Sequence, residues 1–430
     1  MSATSTAGVG RSASEEARAL NRRRWIIVGL LFLASLINYL DRSTLSLALP
    51  LISRDLGLGP ASKGMLLSAF FWSYAFMQVP IGVCADRYKL KWLYAGSFAL
   101  WSISCGLAGV AWSLASLIVF RILLGIGESI YLPGGSKIVS VFFSREERGM
   151  PSGIFDFGTR IGLALGGVVL PFLIVRHGWR EMFMFVGFTA LLWLIPWFWV
   201  FPSRPTAPKE GTSPRKSPVP VRPFPRSLLP FTINRDLIGI CLGFFCFDYY
   251  WYLLLTWLPD YLVEVRHFSV VKAGLLASLP YLVFGVAEPI GGWIADYMIQ
   301  RGGNETRTRK GIVTVAFLMG LCLIPAAYVP SPTAAIALIV GASLVGLGTA
   351  NLLVILQVCA PSDEIGVWTG VENFFGNIGG ILAPLLTGLL IARTGSYSSG
   401  FVLAAVVLIT GLLAYWFIVG DLNSRAERSR

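Results

Sequence analysis

Charge is scarce in this chain. Of its 430 residues, 13% are Asp, Glu, Lys or Arg and 55% are hydrophobic, where a soluble domain carries about 25% charged residues. That shortage removes the surface a water-soluble protein needs, and it excludes the pair of soluble domains that length alone would suggest. Histidine is scarcer still. His177 and His267 are the two, each in a short segment without a ligand-like neighbour. The six cysteines, Cys84, Cys105, Cys241, Cys246, Cys322 and Cys359, fall in or beside apolar blocks, and none forms a C-x-x-C pair. Neither a disulfide framework nor a metal site follows, and buried packing accounts for them. The patterns G-x-S-x-G, H-E-x-x-H and G-x-x-x-x-G-K-[ST] are absent. Their absence argues against an enzyme and against an ATP-driven pump, and no cofactor beyond protons is expected.

What the chain has instead is long apolar blocks. Residues 25–40, 92–119, 182–201 and 398–420 hold almost no charge, and a helix needs about 20 apolar residues to cross about 30 Å of hydrocarbon. The pattern predicts an all-α membrane protein with twelve transmembrane helices, at 25–49, 63–85, 92–112, 114–142, 149–175, 180–201, 236–262, 271–298, 311–330, 334–360, 365–393 and 398–420. The first 21 residues are polar, and their composition predicts no fixed structure. The block after Arg24 is too long for a signal-peptide core and lacks a small-residue cleavage site, so it reads as a retained first helix.

The net charge of +12 reflects topology. Twenty-four of the 35 lysines and arginines lie in the N-terminal tail and around 87–91, 145–148, 204–235, 301–310 and 425–430, against seven in the alternate gaps. This positive-inside asymmetry places both termini and the central loop on the cytoplasmic side of a cell (inner) membrane. It also removes the reason to expect a nucleic-acid partner. Residues 202–235 are rich in Pro, Ser, Lys and Arg and read as a linker. The expected division is a tail at 1–24, a six-helix half at 25–201, the linker at 202–235, a second half at 236–420 and a tail at 421–430. An internal repeat agrees. Gly82, Ala85 and Asp86 end the second predicted helix, and Gly292, Ala295 and Asp296 end the eighth, 210 residues later. Six-helix halves repeated in parallel are the layout of the major facilitator fold.

Charges inside the hydrocarbon span carry the functional signal, since each costs about 2.5–3.5 kcal/mol even on the lenient insertion scale. Asp41 and Arg42 lie in the first predicted helix, and Arg121 and Glu128 in the fourth. Residues 121 and 128 are two turns apart and share a face, with Gly125 and Gly127 leaving room between them for a neighbour or ligand. One reading pairs the four charges as structural salt bridges. The other divides the work. Arg42 and Arg121 offer planar forks for an anion, while Asp41 and Glu128, as carboxyls in a dry cavity that favours their neutral form, take up and release protons. Asp156 and Arg160, four residues apart, read as a local ion pair. Asp248, Glu288 and Glu372 are further candidates for the cavity. The run Tyr249, Tyr250, Trp251 and Tyr252 reads as packing or interface anchoring.

Four segments carry a resemblance over nearly the whole chain: N-Y-L-D-R at 38–42, S-Y-A-x-M-Q-x-P in helix two, R-x-x-x-G-x-G-E at 121–128 and N-F-F-G-N-I-G-G at 373–380. Together they resemble the anion:cation symporter family of the major facilitator superfamily. Its members move sugar acids, dicarboxylates, aromatic acids, sulfonates and phosphate-like anions, usually with protons. The resemblance implies a proton-coupled uptake symporter for a small organic anion, with Arg42 and Arg121 on the anion, Asp41 and Glu128 carrying protons, and Tyr39, Tyr74 and Asn373 lining the cavity. The segment G-V-C-A-D-R-Y-K-L-K at 82–91 resembles the superfamily's cytoplasmic signature, with Cys84, Lys89 and Leu90 departing from it. By that likeness Gly82, Asp86 and Arg87 belong to a cytoplasmic gate. The expected working unit is a monomer in the bilayer. An anion sensor of the same fold that does not transport, or an exporter, is the alternative. Two cavity arginines would repel a cationic cargo.

Overall fold

The computed structural model describes residues 5–58, 60–202, 233–268 and 270–423. The expected linker and C-terminal tail lie outside them except for residues 202, 233–235 and 421–423. No strand occurs among the described residues. The helices run α1 Ser5–Asp55, α2 Pro60–Arg87, α3 Leu90–Ala108, α4 Leu114–Glu128, α5 Tyr131–Phe142, α6 Gly149–Ala190 and α7 Leu194–Val200. After the linker come α8 Arg235–Glu264, α9 Val270–Gln300, α10 Glu305–Gly320, α11 Leu323–Tyr328, α12 Pro332–Ala342, α13 Thr349–Cys359, α14 Ile365–Thr394 and α15 Ser398–Leu413.

Ten helical stretches among the described residues are long and apolar enough to cross a membrane. One of them, Gly149–Val200, turns back on itself at Gly178. With φ +88° this residue adopts a backbone conformation that side chains disfavour. It separates the fifth and sixth predicted crossings. Adding the 19-residue α3 brings the crossings to the predicted twelve. The outer surface is apolar. Val175 is 87% and Trp199 81% exposed, a display that suits lipid rather than water.

Two expectations about boundaries change. Composition predicts no fixed structure for the first 21 residues, but α1 is helical from Ser5; Glu-Glu-Ala-Arg-Ala-Leu at 15–20 is a run of strong helix formers. The predicted fourth helix is broken into α4 and α5 at Ser129–Ile130, because Pro133 has no N–H to return to the carbonyl four residues back. In the second half the matching crossing is also interrupted, by a stretch of 3-10 helix at Ser343–Gly348.

Packing within lipid depends on close contact rather than on a difference in polarity. Gly187 of α6 rests directly on the backbone of Gly106 in α3. Beside it, Phe98 stacks on Trp193 at 4.2 Å, and Tyr94 lies tilted against Trp197 at 5.1 Å. Both described chain ends reach one end of the bundle. Arg24 pairs with Glu147 at 2.6 Å, Arg23 donates to the Val200 carbonyl, and Thr306 donates to Asp421. An even number of crossings requires this.

Candidate functional site: a charged cavity between the halves

A cavity lies between the two sets of helices, with about 550 Å³ of atom-free space when the adjoining open solvent is counted in. Its wall includes Tyr39 and Arg42 from α1, Tyr74 from α2, Tyr131 from α5, and Asp156 and Arg160 from α6. The second half contributes Asp248, Trp251 and Tyr252 from α8, and Asn373 and Asn377 from α14.

Arg42 dominates one side. Its Nε donates to Glu128 Oε2 at 2.8 Å, and its guanidinium lies 4.5–5.0 Å from the ring centroids of Tyr39, Phe70 and Tyr74. These aromatic faces hold a cation without competing for its hydrogen-bonding edge. The Arg42 side chain keeps 14% exposure, while Glu128 has none. The arginine therefore faces the cavity and the acid stands behind it. Glu128 Oε1 and Arg42 Nη2 have no hydrogen-bond partner. One helical step turns Asp41 the other way. It is fully buried beside Cys105 and Arg121, and no nitrogen or hydroxyl donates to either oxygen.

Tyr39, Tyr74 and Asn373 line the cavity, and Asn373 donates to the Tyr74 hydroxyl at 3.0 Å across the two halves. Arg121 does not reach the cavity. It is 5% exposed and lies over Phe70 at 5.0 Å, and its Nε and Nη1 lack partners. Sharing a face of α4 with Glu128 aims it into the first half, where α4 packs on α2 and α3, and there it balances Asp41 and Glu128.

The second arginine in the wall is Arg160. Its expected local pair with Asp156 is loose, at 3.9 Å, and its close partner is Glu288 of α9, at 2.9 Å. Its guanidinium lies over Trp251 at 4.1 Å and Phe284 at 4.7 Å. Tyr131 donates to Asp156. Asp248 lines the wall, whereas Glu288 and Glu372 are fully buried behind it. The sequence signal for Arg160 was its glycine-rich helix. Gly158 and Gly162 rest on α1 backbone and Gly153 on α9, so this helix is wedged between the halves.

Below the cavity the bundle is closed. Asp86 accepts from the Gly366 and Val367 amides at 2.9 and 2.8 Å, which caps α14, and pairs with Lys137 at 2.6 Å. Asp296 accepts from the Gly149 and Met150 amides at 3.1 and 2.8 Å, which caps α6, and pairs with Arg309 at 3.2 Å. Gly82 presses on Gly366, and Gly292 on Gly149. The repeated G-x-x-A-D segments thus form two matching caps, each reaching from one half to a helix start in the other. A carboxylate at a helix N-terminus satisfies its open amides and its partial positive charge. Arg87 sits half-buried beside the first cap.

Comparison with known proteins agrees with this architecture. The family model described as Major Facilitator Superfamily matches residues 31–384 and 273–430. A probable galactarate/D-glucarate transporter, GudP, of Escherichia coli K12 is 28% identical, over 96% of this chain and 97% of the relative. A D-galactonate transporter of Escherichia coli O6:H1 is 30% identical, over 94% and 97%. Among solved structures, the FucP transporter in its outward conformation superposes with a TM-score of 0.69 at 14% identity, over 92% of this chain and 99% of that one. The human organic anion transporter TETRAN gives 0.70 at 15% identity, over 92% and 99%. The chain belongs to the major facilitator superfamily and is a multi-pass membrane transporter rather than an enzyme.

Proposed function

We propose that the chain carries a sugar-acid-like organic anion into the cell together with protons, across the cytoplasmic (inner) membrane, by alternating access of the halves 25–201 and 236–420. The reading rests on one observation: an arginine in the cavity wall whose hydrogen-bonded partner is a completely buried carboxylate. Arg42 and ionised Glu128 are together neutral. An anion that reaches Arg42 gives the group a net negative charge in a poorly solvated space, which is costly unless a proton enters with it. A proton on Glu128 restores neutrality and frees the guanidinium fork for the incoming carboxylate. Asp41, buried without a strong donor, is the second proton site. Tyr39, Tyr74 and Asn373 supply hydroxyl and amide contacts for a polyhydroxylated cargo.

The relatives named as galactarate/D-glucarate and D-galactonate transporters support the cargo class. The excess of basic residues at the closed end supports assigning that end to the cytoplasm, so the site opens outward. Asp86, with Gly82 and Arg87, then forms the cytoplasmic gate. Counterflow of a panel of sugar acids, hexoses and amines into proteoliposomes tests the cargo. Exchange of sugar acids alone supports the reading, and exchange of amines in their place contradicts it.

The gate gives a further expected outcome. Asp86→Ala removes one cap and takes the carboxylate away from the Lys137 ammonium, which keeps the Ser362 carbonyl at 2.6 Å. Cys84, two residues away and half-buried, is expected to react several-fold faster with a water-soluble maleimide, measured by mass spectrometry at that residue. Unchanged labelling would show that the cap does not hold this end closed.

A further inference from the structure

Two arginine–glutamate pairs border the cavity, and they are built alike. In each, the arginine lines the cavity and lies over aromatic rings, and the glutamate behind it is fully buried with one oxygen unpartnered, Oε1 of Glu128 and Oε2 of Glu288. The first pair lies within one half. The second joins the halves, since Arg160 is on α6 and Glu288 on α9. A purely structural bridge would not need a cation in the cavity wall, nor an aromatic shelf of Trp251 and Phe284 that leaves its edge open.

Resting on the function proposed above, the geometry points to Arg160 and Glu288 as a second, proton-gated carboxylate subsite, so that the cargo this carrier prefers is a dicarboxylic sugar acid bridging Arg42 and Arg160. The charged and titratable groups around the pair are Asp156 on α6, Tyr131 on α5, Tyr39 on α1 and Asp248 on α8. Three carboxyls thus surround one arginine. A second negative group cannot approach while all three are ionised, and Glu288 is the one that holds the guanidinium most closely. Its protonation releases Arg160 towards the cavity. Because the pair spans the halves, the same proton loosens a contact that must rearrange when they rock.

The test is titration calorimetry on the purified full-length protein with galactarate and with D-galactonate, which differ by the second carboxyl, at pH 6 and pH 8 in buffers of different ionisation enthalpy. Galactarate is expected to bind about tenfold or more tightly at pH 6, the worth of one charge-assisted carboxylate contact, and to take up one more proton than D-galactonate. Arg160→Ala weakens galactarate much more than D-galactonate, and Arg160→Lys, which keeps the charge, is intermediate. Glu288→Gln removes the extra proton and keeps the galactarate preference at pH 8. Equal weakening of both anions by Arg160→Ala, no preference in the unmodified protein, or an unchanged proton count in Glu288→Gln would each overturn the subsite. D-galactonate binding that still depends on Arg42 leaves the proposed function standing in those cases. Binding of neither anion removes both.

Discussion

Arg42→Ala is expected to weaken anion binding about thirtyfold or more, because losing one partner of a buried, hydrogen-bonded charge pair in a binding contact costs about 2–5 kcal/mol. Two losses combine. The anion loses its guanidinium fork, and Glu128 loses the cation it is hydrogen-bonded to, behind the place the anion must occupy. Arg42→Lys separates these effects. It restores a positive charge but not the planar pair of donors, so its affinity should fall between the two. Binding measured by calorimetry on detergent-purified protein checks this, with the thermal unfolding midpoint as a control for folding. Affinity within about twofold of the unmodified protein, little more than the effect of an ordinary surface substitution, would take Arg42 off the substrate.

Glu128→Gln should separate binding from energy coupling. The amide keeps the shape of the carboxyl and can no longer exchange a proton. Counterflow of labelled for unlabelled anion needs only that the loaded carrier turn over, so it should persist. Accumulation driven by a proton gradient needs the carrier to return without its proton, so it should fail. One pH unit is worth about 1.4 kcal/mol for each proton moved, which allows about tenfold accumulation of a monovalent anion carried with one proton. A second proton adds a net charge, and with it about 2.3 kcal/mol per 100 mV of membrane potential. In Glu128→Gln the accumulation ratio should approach one. Full accumulation by this variant would exclude Glu128 as an essential proton carrier.

Much of this site is legible in the sequence, and the physical reason is the cost of charge in hydrocarbon. That cost singles out Asp41, Arg42, Arg121 and Glu128 by their positions within apolar blocks alone. What sequence spacing does not supply is the neighbour. Arg121 and Glu128 share a face of α4, but only Glu128 reaches the arginine that lines the cavity, because Arg121 turns into the first half against Phe70. Arg160 is hidden for the opposite reason. Asp156 four residues earlier looks like a sufficient partner, whereas the closer one, Glu288, lies 128 residues away on the other half. The repeated aspartates, Asp86 and Asp296, announce a duplicated fold, but their shared role as caps across the halves emerges only once the helices are placed. The helix breaks at Ser129–Ile130 and Ser343–Gly348 are invisible to a hydropathy count, which registers length and not the loss of a single backbone bond.

In the proposed function, an anion held by Arg42 is coupled to a proton held by a buried carboxyl. The measurement closest to it is uptake of labelled galactarate or D-galactonate into proteoliposomes, with and without an acid-outside gradient. The expected result is accumulation above the external concentration with the gradient, and equilibration without it. Equal final levels in the two conditions would contradict proton coupling, whatever the binding affinities prove to be.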